Sequence, residues 1–282
     1  MIRQDLLPTD ADIRFFSDCG YWIAGKTIGD EQLEELCDAM DDVYAGRFET
    51  GHEPWMGWWK PDGDPLQVRK TDQSHWANNT LRALATDETI GAMAARLMNT
   101  DEVRLWHDQL LYKPGQGDRK TSDAGNVGWH QDFHYWQCMV PDLVTAWVAF
   151  DDVPVEKGCM RFVKGSNRWG LLDSSDFFNT NLAEMERRIR QQVRSEFEVV
   201  PAEMKAGQVS FHHCMTIHGS GPNSTAQPRR SMAIHLMPQH ACYVGSSPSD
   251  EHMNALLMRR QGRGDGGLFE GDLWPVVYRA KD

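Results

Sequence analysis

Long apolar runs are missing from this chain. Nothing approaches the roughly 18 consecutive apolar residues that a membrane-spanning helix needs, so no membrane is expected as a partner. Positive charge is also scarce. Lys and Arg number 29 against 41 Asp and Glu, a formal −12 at pH 7, and that balance disfavours nucleic acid and anionic surfaces by bulk electrostatics. The six cysteines (Cys19, Cys37, Cys138, Cys159, Cys214, Cys242) show no Cys-x-x-Cys spacing. That argues against a zinc knuckle or a dense disulfide framework and predicts buried thiols in a reducing compartment. The first residues reach Asp5 without an apolar stretch, so no signal peptide is expected and the cytoplasm is the expected location. With neither an internal repeat nor a low-complexity linker, residues 1–282 read as a single domain. Apolar and aromatic residues are abundant instead, at 40% and 10%, with 11 Trp, which is enough for a substantial core.

Thr9-Asp10-Ala11-Asp12 carries a capping-box pattern, predicting a helix that Gly20 stops. Tyr21 to Ala24 reads as a short strand, and Asp30 opens a helix with Leu33, Leu36, Cys37, Met40 and Tyr44 at helical spacing. Residues 46–66, with Gly, Pro and Trp55, Trp58 and Trp59, read as an irregular aromatic segment. Thr86 is expected to cap a helix presenting Ile90, Met93, Ala94, Leu97 and Met98 on one face. From residue 103 the texture changes to strand-like runs near 103–112, 143–150, 159–163, 197–201, 207–213 and 230–237, with a loop at 114–128 and a helical insertion at 171–196. The expected fold is therefore mainly β with flanking helices. A mostly helical preface (1–100) precedes an antiparallel core (101–240), and an extension (241–282) holds a short helix and a Gly-rich turn at 262–267.

The pattern that carries chemistry is Trp129-His130-Gln131-Asp132-Phe133-His134, followed 86 residues after Asp132 by Ile217-His218-Gly219-Ser220-Gly221-Pro222 and then Arg229-Arg230. On a strand, His130 and Asp132 share a face and Gln131 points away. Two His and one carboxylate on a triangular face suit iron(II) and leave positions open for a cosubstrate and dioxygen. His218 is the preferred third ligand because it follows a β-run and precedes a turn. His212 and His213 compete with it, although histidines on such a run are more often structural. His134 shares the Asp132 face, which gives it a near-site role. His107-Asp108 is a weaker mimic, since adjacent strand residues face opposite ways. A downstream arginine can hold an acidic cosubstrate through two parallel charge-assisted hydrogen bonds, which lysine cannot reproduce.

These segments resemble the phytanoyl-CoA dioxygenase family of iron(II)- and 2-oxoglutarate-dependent oxygenases. The resemblance rests on Phe15-Phe16-Ser17-Asp18-Cys19-Gly20-Tyr21, Trp129-His130-Gln131-Asp132 with Tyr135-Trp136, Gly158-Cys159-Met160-Arg161-Phe162-Val163, and Ile217-His218-Gly219-Ser220-Gly221-Pro222-Asn223 with Pro228-Arg229-Arg230. It implies a double-stranded β-helix (a jelly-roll, cupin-like core) with iron(II) at its mouth, and 2-oxoglutarate and dioxygen as cosubstrates. It also implies that Arg229 binds the distal carboxylate of 2-oxoglutarate, with Ser220, Gln109, Trp147 and Lys70 as further cosubstrate contacts. One departure is Lys164-Gly165-Ser166-Asn167, where many relatives have Pro-Gly-Ser-His. The turn glycine is kept and the imidazole is not.

The resemblance further implies hydroxylation of an unactivated C–H with release of succinate and CO2. Asp132 fills the position that related halogenases leave open for chloride, so hydroxylation is favoured over halogenation. Desaturation, epimerisation and cyclisation share the same chemistry. A non-catalytic metal- or ligand-binding barrel and a zinc hydrolase are the alternatives from other classes, and intact His130, Asp132, His218 and Arg229 weigh against both. Candidate substrate-pocket residues are His134, Trp136, Arg161, Phe133 and Trp129. No basic cluster recommends a coenzyme A thioester, so a small-molecule substrate and a monomer or homodimer are expected.

Overall fold

The structure, a computed structural model, describes residues 2–57, 67–117 and 125–281. In chain order its elements are α1 (Asp10–Cys19), β1 (Tyr21–Lys26), α2 (Asp30–Tyr44), β2 (Met56–Gly57), β3 (Arg69–Asp72), α3 (Asn79–Ala85), α4 (Glu88–Met98), β4 (Glu102–Lys113), β5 (Val127–His130), β6 (Val144–Ala149), β7 (Met160–Val163), α5 (Leu182–Gln192), β8 (Val199–Ala202), β9 (Gln208–His213), β10 (His218–Ser220), β11 (Arg229–Pro238), α6 (Met253–Arg260) and β12 (Val276–Arg279).

Local rules explain most of these boundaries. Thr9 and Asp12 exchange the expected capping-box hydrogen bonds, and Gly20 ends α1 in the left-handed region at φ 81°. Thr86 does not cap α4. Its hydroxyl donates to the Arg82 carbonyl at the end of α3, and Asp87 caps α4 by accepting from Ile90 N at 2.9 Å. An Asp outcompetes the neighbouring Thr because its carboxylate also complements the helix dipole. The short elements α3, β2, β3, β10 and β12 were not anticipated, and Trp58 and Trp59 of the aromatic segment lie outside the described residues.

The described strands form two antiparallel sheets that do not close on each other. The larger runs β1-β9-β6-β11-β4-β3-β2, with β12 also pairing β4, and the smaller runs β5-β10-β7-β8. Strand alternation divides the larger sheet into two faces. Val144, Ala146, Val148, Val209, Phe211, Met232, Ile234 and Leu236 pack with helix residues such as Leu36, Met40, Leu81, Leu84, Ile90 and Met93 in the main core. The opposite parity faces the smaller sheet. Trp147, Ala149 and Ala233 meet Met160, Phe162 and Ala202 there. Each fully buried Leu or Ile on the helix side contributes roughly 1.5–3 kcal/mol, so the helices clamp the outer face and leave the inner one for polar chemistry. Among the described residues no helix is long and apolar enough to cross a membrane.

Candidate metal centre and its two cavities

His130 ends β5 and faces His218, the first residue of β10, directly across the ladder. Asp132 is not on the strand. It opens a 3-10 turn, Asp132–Tyr135, after Gln131 has kept extended backbone at φ −108° and ψ 130°. A strand end followed by a turn, and not one strand face, brings the same side chains together. Gln131 is fully buried and turned away. Its amide donates to the carbonyls of Gly170 and Met215 at 2.8 Å each and accepts from Leu172 N at 2.8 Å, which pins the backbone between the two ligand candidates.

The ligand atoms of His130, Asp132 and His218 lie within 4.8 Å of one another, so one ion can touch all three. Each Nε2 is 3.6 Å from Asp132 Oδ1. Gly128 O lies 2.8 Å from His130 Nδ1, and Thr216 O lies 3.0 Å from His218 Nδ1. A carbonyl only accepts, so each Nδ1 must carry a hydrogen, which turns each Nε2 toward the cluster as the nitrogen available to a metal. Asp132 Oδ2 accepts from Thr145 Oγ1 at 2.9 Å and from His212 Nε2 at 3.2 Å. Thr145 in turn accepts from His235 Nδ1 at 2.8 Å. Burial alone would raise the Asp132 pKa, but His218, His130 and His212 outweigh it and hold the carboxyl well below the usual range. Burial, with His130 and His212, pushes His218 well below the usual imidazole range. Asp132 is thus held as a carboxylate beside a His218 imidazole that burial keeps neutral, as metal binding requires. His212 is a hydrogen-bond partner of Asp132 and not part of the three-residue cluster, and His213 accepts from Met215 N at 3.1 Å.

Two cavities meet at this cluster, sharing Gln109, His130, Asp132 and Phe177. The smaller, about 60 Å³, reaches inward between the sheets past Leu111, Trp147, Ser220 and Arg229. Arg229 is 4% exposed, donates to the Gly158 carbonyl at 2.6 Å and lies 5.4 Å over the Trp147 ring. Its Nε has no hydrogen-bond partner, and burial pushes its pKa down to about 10. Arg230 has the opposite parity and pairs with Asp151 at 2.8 Å. The larger cavity, about 220 Å³, is walled by Trp55, Tyr135, Trp136, Phe177 and Phe178, with His107 and His252 among its polar groups.

Of the residues expected at the cosubstrate, Arg229, Ser220, Gln109 and Trp147 line the smaller cavity. Lys70 lines the larger one, where it pairs with Asp72 at 3.0 Å. Of the five substrate-pocket candidates, Trp136 lines the larger cavity and His134, Arg161, Phe133 and Trp129 line neither. Trp129 precedes His130 on β5, so parity sends it away from the site, where it packs edge-on against Phe197 at 5.6 Å. Arg161 alternates with the inward Met160 and Phe162, and Phe133 packs against the cluster around Trp106 and Trp136. His107, Tyr135, Phe177 and His252 also line the larger cavity and were not expected there. The parity of β4, which puts His107 on the same face as Gln109, could have flagged only the first of them.

A profile of the family described as phytanoyl-CoA dioxygenase (PhyH) matches residues 16–231. The chain is 25% identical over 229 residues to a probable alpha-ketoglutarate-dependent hypophosphite dioxygenase of Stutzerimonas stutzeri, covering 78% of this chain and 76% of that protein. It is 28% identical over 145 residues to the peroxisomal phytanoyl-CoA dioxygenase of Homo sapiens, covering 50% of this chain and 41% of the human enzyme. The fold also matches that of the epimerase SnoN, solved in complex with Fe3+, alpha ketoglutarate and nogalamycin RO, with a TM-score of 0.69 and 24% identity over 95% of this chain and 98% of SnoN. The matched residues contain both histidine segments, Asp132 and Arg229, and the chain belongs to the phytanoyl-CoA dioxygenase family of iron(II)- and 2-oxoglutarate-dependent oxygenases.

Proposed function

We propose that the protein is a dioxygenase that hydroxylates an unactivated C–H bond of a small metabolite or natural-product intermediate, consuming 2-oxoglutarate and dioxygen and releasing succinate and CO2. The observation that carries this reading is the junction of the His130, Asp132 and His218 cluster with a cationic cavity on one side and an aromatic cavity on the other. Two imidazoles and one carboxylate fit iron(II), which with its cosubstrates supplies the oxidant for C–H chemistry. The chain supplies ligation, orientation and exclusion of water. In this reading Arg229 pairs the distal carboxylate of 2-oxoglutarate, Ser220 adds a hydrogen bond, and Trp147 and Gln109 bound the cosubstrate. Trp136, Tyr135 and Phe177 form the apolar wall that holds the substrate beside the metal.

At about 220 Å³ the larger cavity falls below the roughly 300–1,000 Å³ of drug-sized sites, which supports a small substrate. Asp132 occupies the third protein position on the metal and favours hydroxylation over halide transfer. Residues 1–282 act as one domain in this account, working in the cytoplasm as a monomer or homodimer. Anaerobic addition of iron(II) and then 2-oxoglutarate tests the proposal. A weak visible charge-transfer band is expected for the wild type and not for His130→Ala, and succinate release in a substrate panel should follow. A wild-type chain that binds iron yet gives no band refutes it.

A further inference from the structure

Lys113 is 1% exposed, an unusual place for a side chain that is almost never fully buried without a partner. It sits directly across the ladder from Arg229, as the last residue of β4 against the first of β11. Like charges directly opposite on adjacent strands are destabilising; here both are buried, and burial with Arg229 pushes the Lys113 pKa well below the usual lysine range, so its ammonium form calls for an anion beside it. Neither cation has a carboxylate within salt-bridge distance among the described residues. A local rule broken this plainly, on elements that otherwise follow strand parity, marks a site awaiting a charge from outside the chain.

The hydrogen bonds show how Lys113 is used. Its Nζ donates to Ser220 Oγ at 2.7 Å and to the Gly221 carbonyl at 2.6 Å. A serine hydroxyl has one hydrogen to give. With one of its two lone pairs taken by Lys113 Nζ, that hydrogen points elsewhere, and no described residue accepts it. Ser220 and Arg229 line the same small cavity, and Arg229 Nε is likewise without a partner.

We propose that Lys113 is a positioning and specificity residue for the cosubstrate. It fixes the Ser220 hydroxyl as a donor toward the distal carboxylate held by Arg229, and it places a second positive charge behind that carboxylate. The proposal rests on the 2-oxoglutarate reading of the smaller cavity. It follows that the cavity selects 2-oxo acids with a second carboxylate, and that Lys113 contributes nothing to holding a 2-oxo acid without one.

The test uses the full chain with iron(II) under anaerobic conditions, titrated with 2-oxoglutarate and, separately, with the monocarboxylate 2-oxobutanoate, by calorimetry and by the visible band. Loss of a charge-assisted pair predicts that Lys113→Met weakens 2-oxoglutarate about 10- to 100-fold and leaves 2-oxobutanoate and iron affinity unchanged. Because Lys113 acts partly through Ser220, adding Ser220→Ala to Lys113→Met should cost less than Ser220→Ala does alone. Should Lys113→Met fail to fold, Lys113→Gln keeps a donor without the charge and should show the same selective loss. Equal weakening of both 2-oxo acids, or strictly additive effects in the double variant, would assign Lys113 a structural role as a cap on Gly221 and overturn the proposal. A wild-type chain that binds iron but neither 2-oxo acid would overturn the cosubstrate reading itself, and this proposal with it.

Discussion

Thr145→Val is the most informative single substitution outside the ligand cluster, because valine keeps the shape and removes only the hydroxyl. In the wild type that hydroxyl donates to Asp132 Oδ2 at 2.9 Å and accepts from His235 Nδ1 at 2.8 Å. Both partners are buried, at 7% and 2% exposure. The first loss is a hydrogen bond to a charged group, worth roughly 1.5–3 kcal/mol, and the second strands a buried donor at roughly 1–3 kcal/mol. His235 Nε2 is already without a partner, so turning the ring over exchanges one stranded nitrogen for another. Some relaxation will offset part of the sum, and a loss of about 2–4 kcal/mol in unfolding free energy is expected from urea denaturation of the metal-free protein. Asp132 would keep only His212 at Oδ2, and a ligand that has lost one of its orienting bonds should bind iron(II) about 10- to 100-fold more weakly. Thr145→Ser restores the hydroxyl and should recover iron affinity while losing only a buried methyl. If Thr145→Val binds iron as well as the wild type, or if the serine variant is equally impaired, the hydroxyl does not orient Asp132 and the reasoning fails.

Arg229→Lys should leave iron affinity intact and weaken 2-oxoglutarate about 10- to 100-fold, since an ammonium cannot make the paired bonds of a guanidinium; equal loss of both in calorimetry would contradict the role given to Arg229. At Gly128 an added Cβ would lie 2.0 Å from the Asp176 carbonyl and 2.5 Å from that of Asn179, so Gly128→Ala must displace the segment carrying Phe177. It should lower iron affinity and destabilise the fold by more than about 2 kcal/mol, and a wild-type melting temperature would refute the tight approach. Burial lowers the His235 pKa from 6.5 to about 3, so the unfolded chain binds more protons than the native one between those values. His235 therefore contributes stability that is present above pH 6.5 and declines toward pH 3, by at most about 1.4 kcal/mol per pH unit. His235→Asn should flatten that part of the stability profile, and an unchanged slope would count against it.

The strands of the large sheet were legible because period-2 alternation holds through β6, β9 and β11 and, either side of a bulge at Trp106, through β4. The helix-side parity of Met232, Ile234 and Leu236 and the inward parity of Arg229, Ala233 and His235 are both written in the chain. The His-x-Asp pair was legible as a pattern but not as a geometry. Asp132 reaches the cluster through a turn that Gln131 pins with bonds to residues about 40 and 84 positions away, and no local rule encodes such contacts. The aromatic cavity was harder still. Trp55, Phe177 and His252 arrive from an irregular segment, an insertion and the C-terminal extension, whose placement follows from tertiary packing and not from periodicity. Lys113 escaped notice because a lysine ending a strand reads as a solvated charge until its burial is seen.

The most direct test of the account is crystallographic. Crystals grown anaerobically with iron(II) and 2-oxoglutarate should show an anomalous iron peak in contact with His130 Nε2, Asp132 Oδ1 and His218 Nε2. The distal carboxylate of 2-oxoglutarate should lie against Arg229 and the Ser220 hydroxyl. Iron held by any other set of residues, or 2-oxoglutarate bound away from Arg229, would contradict the account.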